Sequence, residues 1–118
     1  MGIRRDRIEP DRDGDGDASV LGSEQIRAAV ARITPATGDA GLWGLFNNAG
    51  IAVSGPLECL PIDDLRRQLE VNVIGQVAVT QAFLPLLRRA RGRILTTGSI
   101  AGFFAAPALG AYSISKHA

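Results

Sequence analysis

The sequence has little of what marks several large protein classes. Its 118 residues contain one cysteine, so no disulfide can form within the chain, which is typical of a reducing compartment. The formal net charge is only +1, which gives no indication of nucleic-acid binding. No apolar run approaches the length needed to span a bilayer, and the charged amino terminus lacks the apolar stretch of a secretory signal. We therefore expect a cytoplasmic protein that binds neither nucleic acid nor membrane.

The remaining composition is that of a folded α/β protein. Apolar residues make up 46% of the chain and charged residues 21%, which is typical of a globular domain and not of a disordered one. A chain of 118 residues is long enough for one domain of ordinary size. The single cysteine, Cys59, is predicted to be a small buried or half-buried hydrophobe.

Residues 1–22 differ from the rest of the chain. They carry many charges and few apolar side chains, so they cannot bury enough surface to offset the entropy lost on ordering. The run Asp11–Gly16 fits the opening of a calcium-binding loop, but the twelfth position, which needs a bidentate glutamate, is Gly22. We predict a disordered tail at 1–22 without a metal site, followed by one folded domain at 23–118. A calcium-binding tail module is the alternative.

The first half of that domain is predicted to form a helix and a strand. Ser23 suits a helix N-cap, and Pro35 and Gly38 should end the helix that follows. The continuous apolar run Leu42–Asn47 favours a parallel strand covered on both faces. It leads into Asn48-Ala49-Gly50, where the small residues would let a cofactor approach the backbone.

The second half is predicted to form a long helix, a strand and a final helix. The long helix should begin after Pro61 and run to about Leu87, with Asn72 in its interior. Asparagine competes for backbone hydrogen bonds inside helices, so one role open to Asn72 is to kink the helix, a kink that the family resemblance described below also implies. Arg93–Thr97 should form the strand, and the last helix should begin near 109–111.

Three side chains near the carboxyl end suggest acid/base chemistry. Tyr112 and Lys116 stand four residues apart, so in a helix both project from the same face. A lysine ammonium beside a phenol favours the phenolate, which lets a tyrosine give or take a proton. Ser99 follows the predicted strand, where a hydroxyl can hydrogen-bond a substrate oxygen as charge develops on it. Together these groups describe a site that interconverts an alcohol and a carbonyl.

The order and spacing of four elements resemble the short-chain dehydrogenase/reductase family. Ser99 precedes the Tyr112-x-x-x-Lys116 motif by thirteen residues, and Asn72 precedes Tyr112 by forty. The turn Asn47–Gly50 reads N-N-A-G, as in that family. The run Gly41-Leu42-Trp43-Gly44-Leu45 is similar to members that act on retinoids and steroids.

The resemblance implies an α/β fold, specifically part of a Rossmann-type doubly wound parallel sheet. It implies that Tyr112 is the general acid/base, that Lys116 supports it and holds the nicotinamide ribose, and that Ser99 orients the substrate oxygen. Asn72 would hold a water through its backbone carbonyl in a proton relay to Lys116. NAD or NADP would bind along Asn48, Ala49, Gly50, Tyr112 and Lys116, and the substrate would be a small secondary alcohol or ketone. Phe103 and Phe104 line an apolar substrate pocket or simply pack; the sequence leaves both open.

The same resemblance covers only the middle of that fold. No Gly-rich turn of the kind that holds a pyrophosphate between a first strand and a first helix occurs in these residues. We therefore expect a truncated dehydrogenase that is inactive alone. The alternative is a non-catalytic fragment that associates with an intact relative. Helices 62–88 and 109–118 resemble those that form the family's dimer interface, so they could also join copies of this chain in a homo-oligomer.

Overall fold

The chain forms a β-α-β unit with a further helix at each end. The computed structural model describes the backbone of residues 18–118 and the side chains of residues 22–118. The helices and strands, in chain order, are α1 (Ala18–Thr37), β1 (Gly44–Asn47), α2 (Ile62–Leu69), α3 (Gly75–Ala90), β2 (Arg93–Thr96) and α4 (Gly110–His117). A π-helical turn, Glu70–Ile74, joins α2 to α3, and three short 3₁₀ turns lie at Gly38–Ala40, Leu57–Cys59 and Ile100–Gly102.

The two strands pair in parallel, with Gly44 opposite Arg93 and Asn47 opposite Thr96. Parallel neighbours need a crossover connection, and the helical stretch from α2 to α3 provides it. The parallel arrangement predicted from the apolar runs is therefore present. Because both strands run the same way, the segments after Asn47 and after Thr96 emerge at the same edge of the sheet.

The hydrophobic core lies between α1, α3 and one face of the sheet. Phe83, Leu86 and Leu87 of α3 are buried. The partly buried apolar residues that pack against them are Ala29, Val30, Ile33, Leu42, Leu45 and Val79. On the opposite face, Phe46 and Leu95 are paired across the strands and are 60% and 62% exposed. The prediction of a strand covered on both faces is therefore wrong for the described residues, since α1 and α3 pack on one face alone.

The start of α1 corrects the predicted helix boundary. The helix begins at Ala18, so Ser23 lies inside it and is not the N-cap. Ala18 and Leu21 are good helix formers, which explains why the helix extends into part of the predicted tail. Pro35 lies within the last turn, and the helix ends at Thr37, directly before Gly38. Residues 1–17, with the acidic run and most of the predicted tail, lie outside the described residues.

Two expectations about exposure also need correction. Cys59 is exposed, because it lies in a 3₁₀ turn of the loop that leads to α2. The helical stretch Ile62–Ala90 has 29 residues and contains an 18-residue window with a mean hydropathy of 1.2, so by length and composition it could cross a membrane. The expectation that no segment reaches that length is therefore wrong. A central helix of a soluble α/β unit meets the same criteria, and this helix supplies the buried core residues of α3.

Candidate functional site

The carboxyl ends of the two strands are held together by polar contacts. The backbone N–H of Thr97 donates to the Asn47 carbonyl at 3.0 Å. The Thr97 hydroxyl donates to Asn48 Oδ1 at 2.7 Å. The buried side chain of Asn47 donates through Nδ2 to the Thr80 hydroxyl of α3 at 2.9 Å. These bonds fix the direction in which the predicted cofactor turn leaves the sheet.

The turn itself, Asn48–Gly50, is exposed. The Ala49 carbonyl accepts a hydrogen bond from Gln76 Nε2 at 3.1 Å. A Cβ added at Gly50 would lie 3.3 Å from Asn72 Oδ1, a distance that few side chains tolerate. A glycine is therefore suited to this position because the Asn72 side chain approaches the backbone there.

Asn72 lies in the π-helical turn and is only 5% exposed. The turn contains a bond from the Gly75 N–H to the Glu70 carbonyl, five residues back, where an α-helix would bond four back. The departure from α-helical geometry that we predicted at Asn72 is thus a π turn. The Asn72 carboxamide accepts from the Ile51 N–H at 2.8 Å and donates to the Ile51 carbonyl at 2.9 Å. Asn72 therefore holds the loop that follows the cofactor turn.

Tyr112 and Lys116 lie on the same face of α4, as their spacing predicts. The Lys116 ammonium is 5.8 Å from the centroid of the Tyr112 ring. The same ammonium donates to the Thr97 carbonyl at 3.1 Å, so α4 is anchored to the end of β2. Both side chains are half-buried. The pair therefore lies at the sheet edge from which the turn Asn48–Gly50 emerges.

Ser99 is half-buried and begins the 3₁₀ turn Ile100–Gly102, where its hydroxyl accepts from the Ala101 N–H at 3.2 Å. That turn packs closely on α4, because a Cβ at Gly102 would lie 2.6 Å from the Lys116 carbonyl oxygen. Ser99 is thus on the segment that contacts the helix of Tyr112 and Lys116. Phe103 and Phe104, just beyond, are 93% and 65% exposed in the described part of the chain.

Two residues of the site were missed by sequence reasoning. Gln68 of α2 is completely buried, and Ser115 of α4 is 5% exposed. The Ser115 hydroxyl accepts from Asn72 Nδ2 at 3.0 Å and donates to the Tyr112 carbonyl at 2.7 Å. A polar residue four positions before Asn72, and so on the same helix face, was the available signal for Gln68. Among residues 22–118, no group of three His, Cys, Asp or Glu side chains is placed to hold a metal ion.

The close contact at Gly102 leads to a stability prediction. In Gly102→Ala, the new methyl would meet backbone atoms of Lys116 that cannot move without shifting α4. We expect the free energy of unfolding to fall by about 1–3 kcal/mol, as for other overpacked sites, in chemical denaturation. Gly98→Ala is the matched control, because nothing lies within 4 Å of a Cβ at Gly98. Equal stability of the two variants would contradict the packing of this turn on α4.

Comparison with known proteins gives the family. Residues 17–118 match the family model described as short chain dehydrogenase. The chain belongs to the short chain dehydrogenase family. It is 57% identical over 77 residues to a 3-amino-tetrahydro-pyrrolizinone reductase of Xenorhabdus hominickii, which covers 65% of this chain and 27% of that protein. It is 39% identical over 118 residues to the mitochondrial D-beta-hydroxybutyrate dehydrogenase of Rattus norvegicus, which covers 98% of this chain and 34% of that protein.

The solved structures agree with the predicted fold. An alcohol dehydrogenase from the archaeon Thermococcus sibiricus, complexed with 5-hydroxy-NADP, matches with a TM-score of 0.75 at 27% identity, over 86% of this chain and 41% of that one. The predicted fold class, part of a Rossmann-type doubly wound parallel sheet, is confirmed. The chain spans about a third or less of the length of the curated relatives named above.

Proposed function

We propose that this chain carries the acid/base half of an NAD- or NADP-dependent oxidoreductase that interconverts a small secondary alcohol and a ketone. The observation that supports this most is the position of Tyr112 and Lys116 on one face of α4, with the Lys116 ammonium 5.8 Å from the phenol ring. The Ser115 hydroxyl connects that helix to Asn72, and Lys116 connects it to the end of β2. Relatives named as dehydrogenases and reductases add support for this reaction class.

The roles follow from what each group can exchange. The Tyr112 hydroxyl gives a proton to the substrate oxygen during ketone reduction and takes one back during alcohol oxidation. The Lys116 ammonium lies beside the ring that makes this exchange, 5.8 Å from its centroid. Ser99 donates a hydrogen bond to the same substrate oxygen, where its hydroxyl would stabilise developing negative charge. The role of Asn72 in a proton relay to Lys116 stays a prediction.

The residues present fit part of a nicotinamide cofactor. Asn48–Gly50 expose backbone at the end of β1, and Gly50 has no side chain to obstruct a close approach. Lys116 supplies a cationic donor at the same sheet edge, suited to ribose hydroxyls. When bound, the cofactor supplies or accepts the hydride. Residues 1–118 contain no Gly-rich turn for its pyrophosphate, so we propose that they are inactive without the rest of a complete domain.

The test compares the chain with a complete domain. The 118-residue chain should oxidise no secondary alcohol with NAD or NADP. A chimera in which residues 41–118 replace the matching segment of an intact family member should support turnover, because the scaffold supplies the pyrophosphate turn and the substrate loop. A folded chimera without turnover would overturn the proposal. Turnover by the isolated chain would overturn the proposed dependence on a pyrophosphate turn and a substrate loop.

Self-association through helices 62–88 and 109–118 is part of the same proposal. Four apolar residues of these segments are between 42% and 61% exposed, namely Ile62, Ile74, Val77 and Ile114. Exposed apolar side chains on neighbouring helices favour burial against another chain.

A cytoplasmic location stays a prediction from the sequence alone.

A further inference from the structure

We propose that Gln68 is a positioning residue of this site, which aligns the helix of Tyr112 with the loop that follows the cofactor turn. The inference rests on the proposed function for its catalytic meaning, but its geometry stands on contacts within the chain. Gln68 is completely buried, on a helix that carries neither the proposed acid/base pair nor the cofactor turn. A wholly buried carboxamide is costly unless each of its polar groups is paired.

Every hydrogen-bonding group of Gln68 has a partner, and the partners belong to two other segments. Its Oε1 accepts from the Val53 N–H at 2.7 Å. Its Nε2 donates to the Ile51 carbonyl at 2.7 Å and to the Ser115 hydroxyl at 3.5 Å. Gln68 thus connects the loop after the cofactor turn with α4.

Asn72, one helical turn later, makes the same set of hydrogen bonds as Gln68. Both carboxamides accept from a backbone N–H of the loop, both donate to the Ile51 carbonyl, and both donate to Ser115. Reversing either amide would set its NH₂ group against a backbone N–H, so each has one allowed orientation. The Ser115 hydroxyl accepts two hydrogen bonds and donates one, which uses its full capacity. The network therefore specifies a single arrangement of three segments.

The network ends on the backbone of the proposed catalytic tyrosine. The Ser115 hydroxyl donates to the Tyr112 carbonyl at 2.7 Å. The orientation of the hydroxyl is therefore fixed relative to the first turn of α4. Without Gln68, Ser115 keeps only the hydrogen bond from Asn72, and the loop loses the hydrogen bond of the Val53 N–H. We therefore expect Gln68 to restrict how Tyr112 faces the substrate without contacting it. Residues that hold catalytic groups in this way act through geometry and not through added stability.

The experiment uses the 118-residue chain and reads Tyr112 directly, since it is the only tyrosine present. Gln68→Leu and Ser115→Ala are compared with Gln25→Leu, a control at an exposed glutamine of α1. Proton NMR should show that the Tyr112 ring signals move in both network variants and stay unchanged in the control. Amide exchange at Ile51 should rise by about tenfold in both, while that of Leu87 in the core stays unchanged, because local and global opening are separable.

Three results would overturn the inference. Ring signals of Tyr112 that do not move in either network variant would show that the network does not position it. An equal rise in exchange at Ile51 and Leu87 would show a general loss of stability. If amide exchange in Gln68→Leu rose at Val53 alone, Gln68 would be shown to hold only the Val53 N–H and not to align α4. If Gln68→Leu does not fold, Gln68→Met takes its place, since it keeps the length of the side chain and removes both amide groups, and the same three results decide. The assay needs neither cofactor nor substrate, so an inactive chimera would reject the proposed function and leave this result standing.

Discussion

In the active chimera, Tyr112→Phe is expected to lower turnover by a factor of about 10²–10⁴ or more, the range for loss of a positioned acid/base group. The substitution removes only the phenolic oxygen, so the ring and its neighbour Lys116 keep their packing. Cofactor binding should therefore stay close to that of the parent chimera. Steady-state kinetics and a cofactor titration by fluorescence would measure the two quantities separately.

The outcome that contradicts this prediction is a retained rate. If Tyr112→Phe kept more than about a tenth of the parent rate, the loss would be under about 1.4 kcal/mol by transition-state arithmetic. A proton donor in direct contact with the substrate oxygen should lower the activation free energy by more than this amount. Tyr112 would then not be the general acid/base. Circular dichroism of the variant would confirm that the comparison is between folded proteins.

Lys116→Ala should lower both turnover and cofactor affinity in the same chimera. The ammonium lies 5.8 Å from the Tyr112 ring and donates to the Thr97 carbonyl, so its loss affects the phenol and the end of β2 together. A hydrogen bond to a charged group is worth about 1.5–3 kcal/mol, which corresponds to a loss of affinity of roughly tenfold or more. Turnover should fall further, since the Tyr112 ring also loses the neighbour that lies 5.8 Å from its centroid.

The matched control is His117→Ala, which removes the adjacent side chain from the same helix. His117 is exposed, and its ring bonds only the Ser113 carbonyl of its own helix among the contacts described here. We expect its kinetics to equal those of the parent chimera. A Lys116→Ala variant that lost turnover but bound cofactor normally would remove Lys116 from the cofactor site and leave it a role beside the phenol.

Local patterns in the sequence were sufficient for much of the fold and for the shared helix face of Tyr112 and Lys116. The apolar runs predicted the ends of both parallel strands to within two residues. A buried parallel strand is written in the sequence as a short apolar run with turn residues on either side, so its limits can be read locally. The spacing of Tyr112 and Lys116 predicted their shared face, because helical periodicity relates positions four apart. These features depend on residues close together in the chain.

The features that the sequence did not reveal depend on distant residues. Gln68 and Ser115 are separated by 47 positions, and their contact exists only after α2 and α4 pack together. Residue type alone gives a glutamine on a helix no reason to be buried. Exposure of Cys59 likewise depends on where its loop lies. The start of α1 at Ala18 was missed because a serine followed by a glutamate suits a helix start, and nothing local excludes an earlier one.

The π turn at Glu70–Ile74 constrains how the length of this helix can vary. A residue advances an α-helix by about 100°, so removing one residue between Gln68 and Phe83 would rotate everything before the deletion relative to everything after it. Either Gln68 would leave the polar network or Phe83 would leave the core. The extra residue in the π turn is what allows both faces to point correctly at once. An insertion or deletion is accordingly better tolerated in the exposed segment 56–59 than in this helix.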